Sequence, residues 1–298
     1  MLEEIVKYSN PLPQNTKILI FGGGYSGQHI AKVSRKLGAT VLCSRRNITK
    51  AGANFEFDSE NKALISDTIF KGTTHVISCI PPNKDGRDPV IQRFGEILEN
   101  LPLKWVGYLS TTGVYGDYKG EWVNEDSITY PKQKRSIRRL SCEKEWQSLN
   151  LPLQILRLPG IYGPGRSSIE VLKANKNIMV HKSGQVFSRI HIDDIAGSIL
   201  YLINIFSNKI SPKIINISDD NPASNVEVLT YAAKLLEIPV PRIEPFEIAS
   251  KNMSPMARSF WQENRKVSNK TLCKQLGYKL IHSDYKSGLN DCFKLFNQ

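Results

Sequence analysis

The spacing of apolar and polar positions changes character midway along this chain. In the first half, short continuous apolar runs alternate with segments whose apolar residues recur every three or four positions. Lys17–Phe21 (KILIF) predicts a buried strand, followed by a glycine turn and a helix from about Tyr25 to Leu37. Thr40–Cys43, Asn54–Phe57, Thr74–Ile80, Trp105–Leu109 and Leu153–Leu158 read as further strands. Helices are expected over Val90–Leu98, just behind Pro89, and over Lys132–Ser148. Continuous apolar strands separated by helices mean an α/β fold: a parallel, doubly wound sheet with helices on both faces and right-handed crossovers.

The second half is less regular. Met179–His181 and Val186–Ile190 flank Lys182-Ser183-Gly184, which predicts a short hairpin. A helix is expected from Asp193 to about Ile205, a strand over Lys213–Ile217 and a helix over Asn225–Leu236. Pro239–Asn264 has no assignable period, and a last pair of helices brackets Leu276-Gly277-Tyr278. The expected organisation is a main domain over 1–164 and a smaller lobe over 165–298, with the chain free to cross back.

Composition narrows the class of protein. At 298 residues, 40% hydrophobic and 23% charged, the chain can bury a large core and is neither disordered nor fibrous. No apolar run is long enough to span a bilayer. Glu3 and Glu4 precede any basic residue, which argues against a secretory signal. Five scattered cysteines, with no CxxC pair, read as reduced thiols in a cytoplasmic setting, and no metal site is expected. The excess of 40 basic over 28 acidic residues, a net charge of +12, suits anionic small-molecule substrates, nucleotides or nucleic acid. A generally basic proteome would produce the same surface.

The first glycine turn carries the sharpest chemistry. A helix N-terminus offers unpaired N–H groups and the positive end of a dipole, a ready site for a diphosphate. In Gly22-Gly23-Gly24-Tyr25-Ser26-Gly27, Gly22 suits the tight turn, Gly24 the close approach of the phosphates and Gly27 the packing of helix on strand. The motif follows a strand and opens a helix, the context a dinucleotide site requires. At the end of the second strand stand Ser44, Arg45 and Arg46 rather than an acidic residue. They suit the 2′-phosphate of NADP better than the ribose hydroxyls of NAD, with NAD as the alternative. Asp58 suits either the adenine amino group or a helix N-cap.

Several later segments together resemble the extended short-chain dehydrogenase/reductase family, the NAD-dependent epimerases and dehydratases. They are Leu109-Ser110-Thr111-Thr112-Gly113-Val114-Tyr115-Gly116, Arg157 through Ile161-Tyr162-Gly163-Pro164-Gly165-Arg166, and Arg189-Ile190-His191-Ile192-Asp193-Asp194. Lys266-Val267-Ser268-Asn269, followed by Leu276-Gly277-Tyr278, resembles the tail of a bacterial atypical subgroup. The resemblance implies a Rossmann-type cofactor domain and a smaller substrate lobe. It implies that Ile80, Pro81, Pro159, Gly160 and Ile161 border the cofactor, and that Thr111 is the catalytic hydroxyl beside the substrate oxygen. Tyr115, Tyr162 and His191 are further acid/base candidates, with His191 also readable as a tether between lobes.

One departure stands out. The family's catalytic tyrosine and lysine lie four apart on the long helix. Counted back from Glu143, those places hold Arg135 and Arg139. Arginine stays protonated and cannot serve as the acid/base. Tyr130-Pro131-Lys132-Gln133-Lys134 spells the same spacing, but a residue before proline is biased away from the helical region, so Tyr130 should lie outside the helix. Arg135, Arg138 and Arg139 share a helical face. That face is either an anion clamp, with Arg135 and Arg139 toward the substrate, or a solvated basic surface. Three functions remain: an atypical oxidoreductase on a phosphorylated or sugar-nucleotide-like substrate, an NADP-binding sensor without turnover, or a nucleic-acid-binding derivative.

Overall fold

Seven of the strands form one sheet. They are β1 (Lys17–Phe21), β2 (Thr40–Arg45), β3 (Phe55–Glu56), β4 (His75–Ser78), β5 (Trp105–Thr111), β6 (Leu153–Leu158) and β7 (Ile214–Asn216). Their order is β7-β6-β5-β4-β1-β2-β3, and β1 pairs in parallel with both β2 and β4. Consecutive strands run outward from β1 to β3, after which the chain returns to the other side of β1 at β4. That reversal is a topological switch point, the place where a crevice opens beyond the carboxyl ends of the strands. The structure, a computed structural model, describes residues 5–6, 9–60, 65–174, 178–207 and 209–296. Among them, no helix is long and apolar enough to cross a membrane.

Helix α1 (Tyr25–Lys36) starts at Gly24 and buries Gly27, Ile30, Ala31, Val33 and Ser34, one stripe at helical spacing. It stops where Gly38 takes φ +93°, and Ala39 N–H returns to Ser34 O. Helix α2 (Pro89–Glu99) begins at Asp88, with Pro89 in its first turn. Helix α3 (Lys134–Ser148) is polar over most of its surface and buries Ser136, Cys142, Glu143 and Trp146. Phe21, Phe57, Phe94, Val106 and Trp146 belong to one apolar cluster over the sheet. Inside this region the Glu143 carboxylate accepts from Arg157 at 2.7 and 3.1 Å and from the Ser110 hydroxyl, joining α3 to β5 and β6.

The chain divides into two units. Unit 1 comprises Met1–Thr111, Lys134–Arg157 and Ile195–Ile215; unit 2 comprises Thr112–Gln133, Leu158–Asp194 and Asn216–Gln298. A single boundary at 164 does not describe this division. The segment bearing most of helix α4 (Ile192–Ile205), and nearly all of β7 at the sheet edge, belong with unit 1 although they follow that position.

In unit 2 the predicted hairpin is replaced by two separate parallel pairings. Ile178–His181 pairs with Arg242–Pro245, and Arg189–His191 pairs with Gly160–Tyr162. Gly184 does turn, at φ +69°, but each run finds its backbone partner elsewhere in the chain. The first of those partners lies in the proline-rich stretch that has no sequence period. Helices α5 (Asn225–Leu235) and α6 (Tyr285–Phe296) pack around Ile169, Leu172 and Met179.

Candidate dinucleotide site

The glycine turn lies at the switch point of unit 1. Gly22 has φ +93°, a left-handed conformation, and a Cβ there would stand 3.0 Å from Ile80 Cγ1 and 3.3 Å from the Cys79 carbonyl carbon. A Cβ on Gly27 would stand 2.3 Å from Gly22 O, so only glycine lets α1 come this close to the turn. A Cβ on Gly24 would meet nothing within 4 Å. The three glycines thus differ: two are required by the protein's own packing, and the third faces open space at a helix start.

Helix α1 has no side-chain cap at Gly24 and no acidic residue in its first turn. Gln28 N–H makes the first intrahelical bond, to Gly24 O at 2.9 Å. The N–H groups of Ser26 and Gly27 precede that bond, at the positive end of the helix. Gly23 N–H and Gly24 N–H are used to fold the turn, onto Ser44 O and Gly22 O. The result is an exposed glycine at the positive end of a helix dipole, with open space where an anion could approach.

At the end of β2, Ser44 is fully buried, and its Oγ accepts from Gly22 N–H at 2.9 Å, so its hydroxyl shapes the glycine turn. Arg45 is half-buried, its Nη2 donates to Ala51 O at 3.3 Å, and its buried Nε has no acceptor among the described residues. Arg46 is exposed. Asp58 accepts from Glu60 N–H at 3.1 Å in a local turn. Ile80 is half-buried and Pro81 exposed, both just past the end of β4.

The two arginines expected to form a clamp differ in their surroundings. Arg139 is half-buried, and its Nη1 donates to Ile80 O at 3.1 Å, the Tyr108 hydroxyl at 3.1 Å and Leu109 O at 3.3 Å. Its guanidinium carbon lies 5.6 Å from the centre of the Tyr108 ring. Arg139 therefore braces the ends of β4 and β5, while Arg135, one turn earlier, is exposed. Burial pushes the Tyr108 phenol well above its ordinary value, with Arg139 pulling the other way, so this hydroxyl stays protonated. Burial likewise pushes the Cys79 thiol up to about 12. Thr111 ends β5 and is half-buried. In unit 1 the structure thus gathers the glycine turn, Ile80 and Arg139 at adjacent strand ends.

Other candidates lie in unit 2. Tyr115 is fully buried, and its hydroxyl donates to Asn216 Oδ1 at 2.8 Å. Asn216 is itself held by Glu125 Oε1 and Ser268 O, so Tyr115 is part of a packed polar network. Tyr162 is buried, and its phenol is pushed far upward by burial and then by the Asp219 charge. Pro159, Gly160 and Ile161 lead into the strand beside Arg189–His191. Tyr130 lies outside any helix, as its proline requires, and its hydroxyl donates to Asp117 O. Sequence reasoning missed the neighbours of Arg139, because a bond to a strand-end carbonyl leaves no trace in residue type.

Among solved structures, a conserved protein of unknown function from Silicibacter pomeroyi is 34% identical, covering 93% of this chain and 98% of its own, with a TM-score of 0.83. A putative NAD-dependent epimerase/dehydratase from Methylobacillus flagellatus is 26% identical over 96% of this chain and 100% of its own, with a TM-score of 0.73. UDP-glucuronic acid 4-epimerase from Bacillus cereus, solved with NAD, shares the fold at 21% identity, 95% and 97% coverage and a TM-score of 0.73. No family model matches the chain. No curated protein matches it at a significant level.

Proposed function

This chain belongs to the NAD-dependent epimerase/dehydratase family, and from that premise we propose that it binds NADP(H) and acts as an atypical oxidoreductase. Its substrate in this reading is a phosphorylated or sugar-nucleotide-like anion. The observation that carries the proposal is the uncapped start of α1, with open space at Gly24, placed at the switch point of the sheet. NADP is preferred over NAD because Arg45 keeps a buried Nε without an acceptor beside exposed Arg46, and no acidic residue ends β2.

The bound nicotinamide would supply or accept hydride. The chain's residues would do the rest: the turn Tyr25-Ser26-Gly27 holds the diphosphate, and Arg139 fixes the strand ends and keeps a permanent positive charge there. Thr111 would bond the reacting oxygen. Helix α3 contains no tyrosine, and arginine cannot exchange a proton at useful pH. Proton transfer is therefore assigned to water held by Thr111 or to the substrate itself. Five free cysteines support a reducing, cytoplasmic setting.

The test is a fluorescence titration with NADPH and NADH, followed by turnover assays on a panel of sugar nucleotides. Replacing Arg45 and Arg46 by serine should weaken NADPH by at least about tenfold, since one charge-assisted phosphate contact contributes about 1.5–3 kcal/mol, and should leave NADH nearly unchanged. Equal losses would remove the case for NADP. The missing helix tyrosine favours a second reading, a sensor that binds the cofactor without turning it over. Tight NADPH binding with no turnover across the panel would select it. RNA binding that falls steeply with salt would instead select the nucleic-acid reading.

A further inference from the structure

Unit 2 holds a cluster of potential metal ligands that the dinucleotide site does not use. His191 ends the strand Arg189–His191, and Asp193 lies in the first turn of α4. His282 comes from the loop before α6, and Asp291 from α6 itself. Two stretches far apart in sequence, 191–193 and 282–291, thus each bring one imidazole and one carboxylate together. One ligand atom from each lies within 4.8 Å of all the others. His282 Nε2 is 3.5 Å and His191 Nδ1 3.7 Å from Asp193 Oδ2. His191 and Asp193 are wholly buried, His282 is 5% exposed and Asp291 half-buried.

We propose that His191, Asp193, His282 and Asp291 bind one divalent transition-metal ion of the zinc class, which staples the C-terminal segment of unit 2 to the start of α4. Zinc takes nitrogen at about 2.0–2.1 Å and carboxylate oxygen at about 2.0–2.2 Å in a tetrahedron, which places neighbouring ligand atoms roughly 3.3–3.5 Å apart. The two separations from Asp193 Oδ2 lie at or just above that range, and the remaining ligand atoms, within 4.8 Å of one another, would draw in around the ion. Donor type agrees: two imidazoles with carboxylates suit zinc and its neighbours, whereas calcium and magnesium prefer an all-oxygen shell. Charge is compatible as well: a metal requires both imidazoles deprotonated, and the two carboxylates would then carry a charge of −2 that a divalent ion cancels.

The surroundings hold the ligands in place. Asp194, next to Asp193, accepts from Ile281 N–H at 2.7 Å, His282 N–H at 2.9 Å and the Tyr278 hydroxyl at 3.2 Å. This one carboxylate pins the loop that presents His282. The Ser287 hydroxyl is 3.2 Å from His282 Nδ1, which leaves Nε2 directed at Asp193. Cys292 Sγ is 3.8 Å from His191 Nε2, and His191 Nδ1, on the cluster side, accepts from Asp193 N–H at 3.3 Å, a bond the ion would displace. Partners of this kind set the tautomer and orientation of ligating histidines in metal sites.

The competing occupant is a proton shared between His282 and Asp193, and the experiment separates the two. The protein is purified without chelator, analysed for metals, then stripped with EDTA and titrated with zinc alone while thermal unfolding is followed. The expected result is about one zinc per chain, a melting temperature lowered by several degrees on stripping, and recovery on adding zinc. Stripped protein that binds no zinc and melts unchanged would overturn the proposal. In folded Asp291→Asn and His282→Gln variants, zinc affinity should fall by at least about tenfold, while Cys142→Ser, in unit 1, should retain it. Zinc held equally by all three variants would place the metal elsewhere and also overturn it. If the two ligand variants fail to fold, the titration of the unaltered chain decides alone. None of these readings depends on NADPH, so the proposed function and this site fail separately.

Discussion

Two helices on the same sheet begin in opposite ways. Helix α1 starts at Gly24, without a side-chain cap and with exposed backbone. Helix α2 starts at Asp88, whose Oδ1 accepts from Val90 N–H at 2.9 Å and Ile91 N–H at 3.2 Å. The other oxygen accepts from Trp146 Nε1–H at 2.9 Å. Both termini carry the same dipole and the same unsatisfied N–H groups. At α2 the protein supplies its own buried carboxyl group, and at α1 no side chain caps the helix. The difference separates a helix start that stabilises the fold from one kept for a ligand, and it does so without reference to any relative.

The contrast can be broken from either side. Asp88→Ala removes a cap that contributes about 1 kcal/mol and leaves the Trp146 N–H buried without its partner, at about 1–3 kcal/mol more, so urea unfolding should show a loss of about 3 kcal/mol. NADPH affinity should stay within about twofold, because this cap belongs to the other helix. Gly24→Val should do the reverse: roughly a hundredfold weaker NADPH binding, about 2.7 kcal/mol, with folding cooperativity retained. An unchanged affinity in folded Gly24→Val would mean that the open space at α1 is not a ligand site.

The smallest effect comes from the opposite end of the sheet and serves as a control. His75 begins β4, is buried, and has its pKa lowered to about 4, first by burial and then by the Lys104 charge. A folded value below the unfolded 6.5 means that the fold favours neutral imidazole. Its contribution is complete above pH 6.5 and is lost as pH falls toward 4. Unit 1 should therefore lose about 2 kcal/mol between pH 7 and pH 5, and His75→Gln should flatten that slope. A slope unaffected by the substitution would assign the acid sensitivity to other groups.

How much of this was legible in the sequence follows from the range of the forces involved. KILIF, the glycine turn and the stripe Ile30-Ala31-Val33 are local patterns, and they placed β1, the turn and α1 within a residue or so. Pro131 excluded Tyr130 from α3 for an equally local reason. The false hairpin at 179–190 also looked local, but strand pairing is settled by the best partner anywhere in the chain. Ser44 and Arg139 were recognised as belonging near the site, but their bonding partners were not foreseen. What they bond is a carbonyl or an amide hydrogen, groups every residue has and no sequence displays. The His191, Asp193, His282 and Asp291 cluster was missed because its members span a hundred positions and show no ligand spacing.

The strand order bears on how the chain is made. β5 is in place early, yet the neighbour on its outer side, β6, comes only at Leu153–Leu158, and the neighbour of β6 only at Ile214–Asn216. During synthesis from the N-terminus, the half-built sheet must therefore wait, first with β5 and then with β6 as an unpaired edge. Such an edge offers a row of unsatisfied hydrogen-bonding groups to any other chain nearby. The interval between translating Thr111 and Ile214 is the period in which this protein is most exposed to misassembly, and a pause on the ribosome there would lengthen the exposure.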